Sequence, residues 1–204
     1  MFIELIDLLR CTRPHEDSWL VATFHEMRER DVMEGLLSCP VCAARYPVTN
    51  GVAWFDAEPG TAIDAPRAPE ENGLRVAAYL NLIEPGIVVL GGAWAASAEA
   101  IAQLGSRVIA LNSPELRASP GVSGVRSDGT VPLARECLDG VALDSSEPRL
   151  VESAVRALKN GARLLAPLEA AVPPGLVELA RDEKWWVAVR EGGSASAPVQ
   201  IARR

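Results

Sequence analysis

Residues 87–112 read IVVLGGAWAASAEAIAQLGSRVIALN, and their pattern decides the fold. Ile87 to Leu90 is an unbroken apolar run, the kind that a short strand buried on both faces requires. A helix-like stretch follows from Ala95 to Leu104 and stops at Gly105, and Arg107 to Leu111 is a second buried strand. The alternation continues downstream. Gly124 to Arg126 belongs to a weaker third strand and Asp139 to Asp144 forms a fourth. A helix then opens with Ser146 as cap and Pro148 in its first turn; Leu150, Val151, Ala154, Val155 and Leu158 line one face, and Asn160-Gly161 ends it. Arg163 to Ala166 is a fifth strand and Pro174 to Arg181 a further helix. Trp185 to Arg190 and Val199 to Ala202 read as two strands joined by a short loop. This order predicts an α/β fold: a mostly parallel sheet with helices on both faces, ending in an antiparallel pair at one edge. The Trp185-Trp186 pair is expected to straddle that sheet, one ring on each face.

Upstream, residues 57–73 read AEPGTAIDAPRAPEENG, with three prolines and almost no bulky apolar side chain. Such a composition cannot bury a core, which marks 57–72 as a linker between a small unit at 1–56 and the α/β unit at 73–204. The whole chain has 204 residues, 49% of them hydrophobic and 23% charged, the balance of a folded protein. Its net charge of −7 lacks the basic field that neutralises phosphates, so direct nucleic-acid binding is not expected. No apolar run reaches the ~18 residues of a membrane span. Met1 to Arg10 carries Glu4 and Asp7 and lacks a cationic flank, so it does not read as a signal peptide, and the cytoplasm is the expected compartment.

Three of the four cysteines, Cys11, Cys39 and Cys42, lie in the first unit; Cys137 stands alone and reads as a core or boundary thiol. Cys39-Pro-Val-Cys42 has the spacing at which two thiolates reach one tetrahedral zinc. Cys11 supplies a third ligand. The position where a ribbon would carry the fourth is Pro14, and His15 is the nearest replacement. Two other readings of the thiols stay open: small core hydrophobes, or a redox pair, although the motif lacks the βαβ context a redox pair needs.

Met33-Glu34-Gly35-Leu36-Leu37-Ser38-Cys39-Pro40-Val41-Cys42, continuing to Tyr46-Pro47-Val48 and Asn50-Gly51-Val52, resembles the zinc-ribbon activator family. Its members are obligate partners of tRNA, rRNA and release-factor methyltransferases. The resemblance covers residues 1–56 and implies a unit without catalytic residues that adds a strand to the edge of a methyltransferase sheet. It also implies that Val48 and Val52 to Trp54 pack on the α/β unit of the same or a neighbouring chain.

Residues 73–204 resemble a Rossmann-like class I S-adenosylmethionine-dependent methyltransferase domain. The likeness lies in the order of strands, in Ser127-Asp128-Gly129 with Val131-Pro132-Leu133, in Leu138-Asp139-Gly140-Val141, and in Ala157 to Leu165. The cofactor positions depart from that family. Leu90 stands where its first strand carries an acid, and Trp94 and Ala96 replace two glycines of its loop. Asn112 replaces the acid that holds the ribose hydroxyls. Trp94 is expected to fill the cofactor's space. Asp128 and Asp144 remain, and acids after strands are commonly turn or cap residues. The resemblance together with its departures implies a non-catalytic protein that acts through protein contacts, as activator or scaffold of a methyltransferase or by self-association. Zinc is the expected cofactor, held by Cys11, His15, Cys39 and Cys42; S-adenosylmethionine is not expected to bind, and no catalytic or cofactor-binding residue is assigned. The alternative is an active methyltransferase with its activator fused in cis and an atypical cofactor loop.

Overall fold

A computed structural model describes residues 1–55, 58–59, 73–115 and 118–192. The expected strand at 199–202 lies outside these residues, as does the expected linker apart from Glu58 and Pro59. Eleven strands among the described residues join in one sheet. The first four are β1 (Val21–Arg28), β2 (Asp31–Ser38), β3 (Arg45–Thr49) and β4 (Val52–Trp54), an antiparallel meander. Helix α1 (Gly73–Leu80) precedes β5 (Ile87–Gly91), and α2 (Ala98–Gln103) leads into β6 (Arg107–Leu111). Then come β7 (Val122–Arg126), β8 (Leu138–Ala142), α3 (Pro148–Ala157), β9 (Leu158–Pro167), β10 (Leu176–Arg181) and β11 (Trp185–Arg190).

The parallel part runs β7-β6-β5-β8-β9, the 3-2-1-4-5 order of a doubly wound sheet. Alternation along the strands sorts side chains to two faces. Val88, Leu90, Val108 and Ala110 face α1 and α2, whereas Val89, Ile109 and Leu111 face the other layer with Leu150, Val151 and Ala154 of α3. The tryptophan pair does straddle the sheet: Trp186 lies in the α3 layer and Trp185 packs against the α1 layer.

That second layer is completed by the amino-terminal segment. The connections from β6 to β7 and from β7 to β8 hold no helix among the described residues. Met1, Phe2, Leu5 and Leu9 fill the layer instead, around a 3-10 turn at Ile3–Asp7. The Phe2 amide donates to Ser123 Oγ at 2.9 Å, Arg10 N to the Pro132 carbonyl at 2.9 Å, and Ala134 N to the Leu8 carbonyl at 2.7 Å.

The meander meets the parallel sheet at β4, which pairs in parallel with β7: Val52 with Gly124, Ala53 with Val125, Trp54 with Arg126. Gly124 allows this approach, since a Cβ there would lie 2.8 Å from Val52 Cγ2.

Three expectations are corrected. Residues 176–181 form a strand, not a helix. Leu, Glu, Ala and Arg suit a helix, but Asp182 Oδ1 accepts from the amides of Lys184 and Trp185, both at 2.8 Å, and this turn folds β10 back antiparallel onto β11. β11 in turn pairs antiparallel with β9, so the antiparallel edge is built from the residues before Trp185. The cap of α3 is Glu147, whose carboxylate accepts from the Leu150 amide at 2.7 Å, and the helix ends at Ala157; Asn160-Gly161 lies inside β9. Finally, the helical stretch after β5 is split into a 3-10 segment at Gly92–Ser97 and the short α2.

Candidate functional site

Two places gather polar chemistry. The first lies in the meander. The Arg10–Trp19 bridge closes a loop that carries Cys11 and His15, and the Cys11 amide donates to the Ser18 carbonyl at 3.3 Å. Cys39 ends β2. The Ala43 amide donates to its carbonyl at 3.0 Å, and Ala43 takes φ 57°, turning the chain so that Cys42 folds back beside Cys39. The ligand atoms of Cys11, His15, Cys39 and Cys42 all lie within 4.8 Å of one another.

The separations suit zinc. Cys11 Sγ and Cys42 Sγ are 3.6 Å apart, and Cys39 Sγ is 3.4 Å from His15 Nε2. Bonds of about 2.3 Å to sulfur and about 2.0 Å to nitrogen give a tetrahedron with edges of roughly 3.8 Å and roughly 3.5 Å. His15 Nδ1–H donates to the Glu16 carbonyl at 2.6 Å, which leaves Nε2 as the free acceptor facing the thiols. The Cys39 thiol is brought down to about 6: burial opposes ionisation, but the amides of Cys42 and Val41 and the thiols of Cys42 and Cys11 outweigh it. The chain thus joins all four residues that the sequence singled out. Cys137 is elsewhere; its thiol donates to the Ala134 carbonyl at 3.1 Å, and burial raises it to about 11. A thiol held this high is little ionised at neutral pH.

The second place is the carboxyl edge of the parallel strands, where doubly wound folds bind ligands. Gly92 has φ 58°, and a Cβ there would overlap the Asp144 carboxylate. Asp144 Oδ2 accepts from the Ala93 amide at 2.7 Å. Burial of this carboxyl raises it above its ordinary range, against the pull of that amide. Trp94, expected to fill the cofactor's space, is instead buried in the α1 layer. Its indole is 1% exposed, packs 4.8 Å from the Trp185 ring in the α1 layer, and donates to the Leu143 carbonyl at 3.2 Å. Asp144 covers the loop in its stead. The sequence offered no sign of this beyond an acid after a strand.

Asn112 is equally committed. Its Nδ2 donates to the Ser127 carbonyl at 2.8 Å, and its Oδ1 accepts from Ser127 N at 2.9 Å and Arg126 at 3.0 Å. The amide clips the end of β6 to the end of β7. Asp128 is 74% exposed and pairs with Arg126 at 3.6 Å. The Ala93 amide of the loop thus has an internal carboxylate as partner, and the Asn112 side chain is bonded to the backbone of Ser127.

No family model and no curated protein matches the chain. Solved structures do resemble it. A 1,6-didemethyltoxoflavin-N1-methyltransferase from Burkholderia thailandensis, solved with 1,6-didemethyltoxoflavin and S-adenosylhomocysteine, is 12% identical; the match covers 59% of this chain and 76% of that one, with a TM-score of 0.46. For an S-adenosylmethionine-dependent O-methyltransferase from Thermotoga maritima the identity is 15%, the coverage 61% and 66%, and the TM-score 0.42. A geranyl diphosphate methyltransferase with geranyl diphosphate and sinefungin bound is 15% identical over 46% and 42% of the two chains, with a TM-score of 0.37. The match spans less than half the length of the last of these, and of other solved structures that resemble the chain. The fold is Rossmann-like by its strand order. Likenesses this loose say nothing about chemistry.

Proposed function

We propose that this chain is a non-catalytic methyltransferase-like protein that holds one structural zinc ion and acts through protein contacts. The observation that carries the reading is Asp144 seated over Gly92. Its carboxylate lies where a Cβ on Gly92 would stand and accepts from the Ala93 amide, so a cofactor held by that amide would have to displace it. Missing or occluded interactions of this kind each cost ~1–3 kcal/mol, and every ~1.4 kcal/mol is tenfold in affinity. Leu90, Asp144 and Asn112 together push a micromolar cofactor site beyond the millimolar range.

Zinc in a closed set of three thiolates and one imidazole has no open position for substrate, so its part is to hold the 11–18 loop against β2 and β3. The seam between β4 and β7 bears on the partner. In the family that residues 1–56 resemble, the activator adds a strand to a methyltransferase sheet; here that strand is paired with this chain's own sheet. A partner protein therefore meets another surface. The open edge at β1, with Trp19, Val21, Phe24 and Met27 exposed, supports contact there.

The same seam favours a second reading, an active methyltransferase carrying its activator in cis. Calorimetry of the zinc-loaded chain with S-adenosylhomocysteine separates the two. Absence of binding at millimolar ligand is expected, and a micromolar dissociation constant would establish the second reading.

A further inference from the structure

The Tyr46 hydroxyl sits 3.1 Å from Cys11 Sγ, 3.2 Å from Thr12 Oγ1 and 3.4 Å from the Thr12 amide. Its ring is 2% exposed and lies 4.5 Å from the Phe55 ring. β3 pairs with β2 so that Tyr46 stands opposite Leu37, two residues before Cys39. One side chain thus touches the loop that carries Cys11 while anchored in the strand pair that leads to Cys39 and Cys42.

From this we infer that Tyr46 is a positioning residue of the metal centre, donating its hydroxyl proton to the Cys11 thiolate. The inference rests on the zinc reading above. A metal-bound thiolate has no proton to give, so the 3.1 Å contact requires the tyrosine to donate. The N–H and O–H of Thr12 then donate to the tyrosine oxygen, and the chain of bonds polarises toward sulfur. The need is electrostatic as well as geometric. Three thiolates and a neutral imidazole around a divalent ion leave one net negative charge, and Cys11 lies on the arm where the ribbon has Pro14 instead of a second cysteine. A donor to that sulfur spreads the charge and fixes the only thiolate the arm supplies.

The test uses the full chain loaded with cobalt(II) or zinc. Wild-type protein should show the visible bands of tetrahedral cobalt with a thiolate-to-metal charge-transfer band; their absence would overturn the zinc reading, and this inference with it. Tyr46→Phe keeps the ring against Phe55 and removes only the hydroxyl. We expect it to shift the charge-transfer band and to lose zinc to a chromophoric chelator about 10–100-fold more readily, the range seen when groups that orient ligands are removed. Phe55→Leu disturbs the packing and keeps the hydroxyl, so it should lower the melting temperature and leave the band in place. An unshifted band with zinc retention within about twofold in Tyr46→Phe would overturn the assignment, as would a Phe55→Leu protein that reproduced its spectral shift.

Discussion

The metal cluster and the carboxyl edge of the parallel sheet place polar groups in opposite ways. In the meander, Cys11, His15, Cys39 and Cys42 converge from two loops and find chiefly one another, with the Cys11–Cys42 and Cys39–His15 separations close to the edges of a metal tetrahedron and all four ligand atoms within 4.8 Å. At the sheet edge, the Ala93 amide, the Trp94 indole and the Asn112 amide all have partners within the chain. Buried polar groups are nearly always satisfied, so the telling question is by what. A cluster that its own chain leaves incomplete is prepared for an outside ligand. At the sheet edge these three groups are already satisfied within the chain, which is what the proposed closure of that crevice to a cofactor rests on.

The sharpest break of this contrast is removal of a metal ligand. Cys39→Ser should purify nearly zinc-free from zinc-replete cells and melt ~10 °C or more lower, because metal-binding free energy is folding free energy in a small β unit. Unchanged metal content and melting would reduce the cluster to ordinary core thiols. Next comes Trp94→Ala, expected to cost ~3–5 kcal/mol in urea unfolding as a buried indole is deleted; a cost under ~1 kcal/mol would mean that the loop is not part of the core. Gly124→Val tests the seam between the two regions. Overpacking against Val52 should cost ~1–3 kcal/mol, and an unchanged urea midpoint would show that β4 and β7 are not closely paired.

The smallest effect concerns Asp144. Its folded-state pKa is raised, so its contribution to stability is complete below the unfolded value near 3.9 and is lost as pH rises through the folded value. Asn at this position still accepts from Ala93 and never ionises. Asp144→Asn should therefore melt slightly higher than wild type at pH 7, with the gap closing toward pH 4; a lower melting temperature at pH 7 would show that the carboxylate's charge is wanted there.

Much of the parallel sheet was legible because β5 and β6 are buried on both faces and read as apolar runs. β10 was not. Its five outermost residues face solvent, so no burial pattern marked the strand, and only the Asp182 turn and pairing with β11 distinguish it from a helix. His15 is legible in the sequence because it adjoins Pro14, which stands where a ribbon carries its fourth ligand. Tyr46 and Asp144 could not be found, because their contacts depend on the register of β2 with β3 and on the distance between the ends of β5 and β8. The amino-terminal segment stands in for crossover helices, and its few apolar residues carried no period long enough to announce that role.

The central claim, one site prepared and one closed, is tested most directly by native mass spectrometry of the full chain supplied with zinc and S-adenosylmethionine together. The account predicts a single species, the chain plus one zinc ion. A species carrying S-adenosylmethionine, or a chain without zinc, would contradict it.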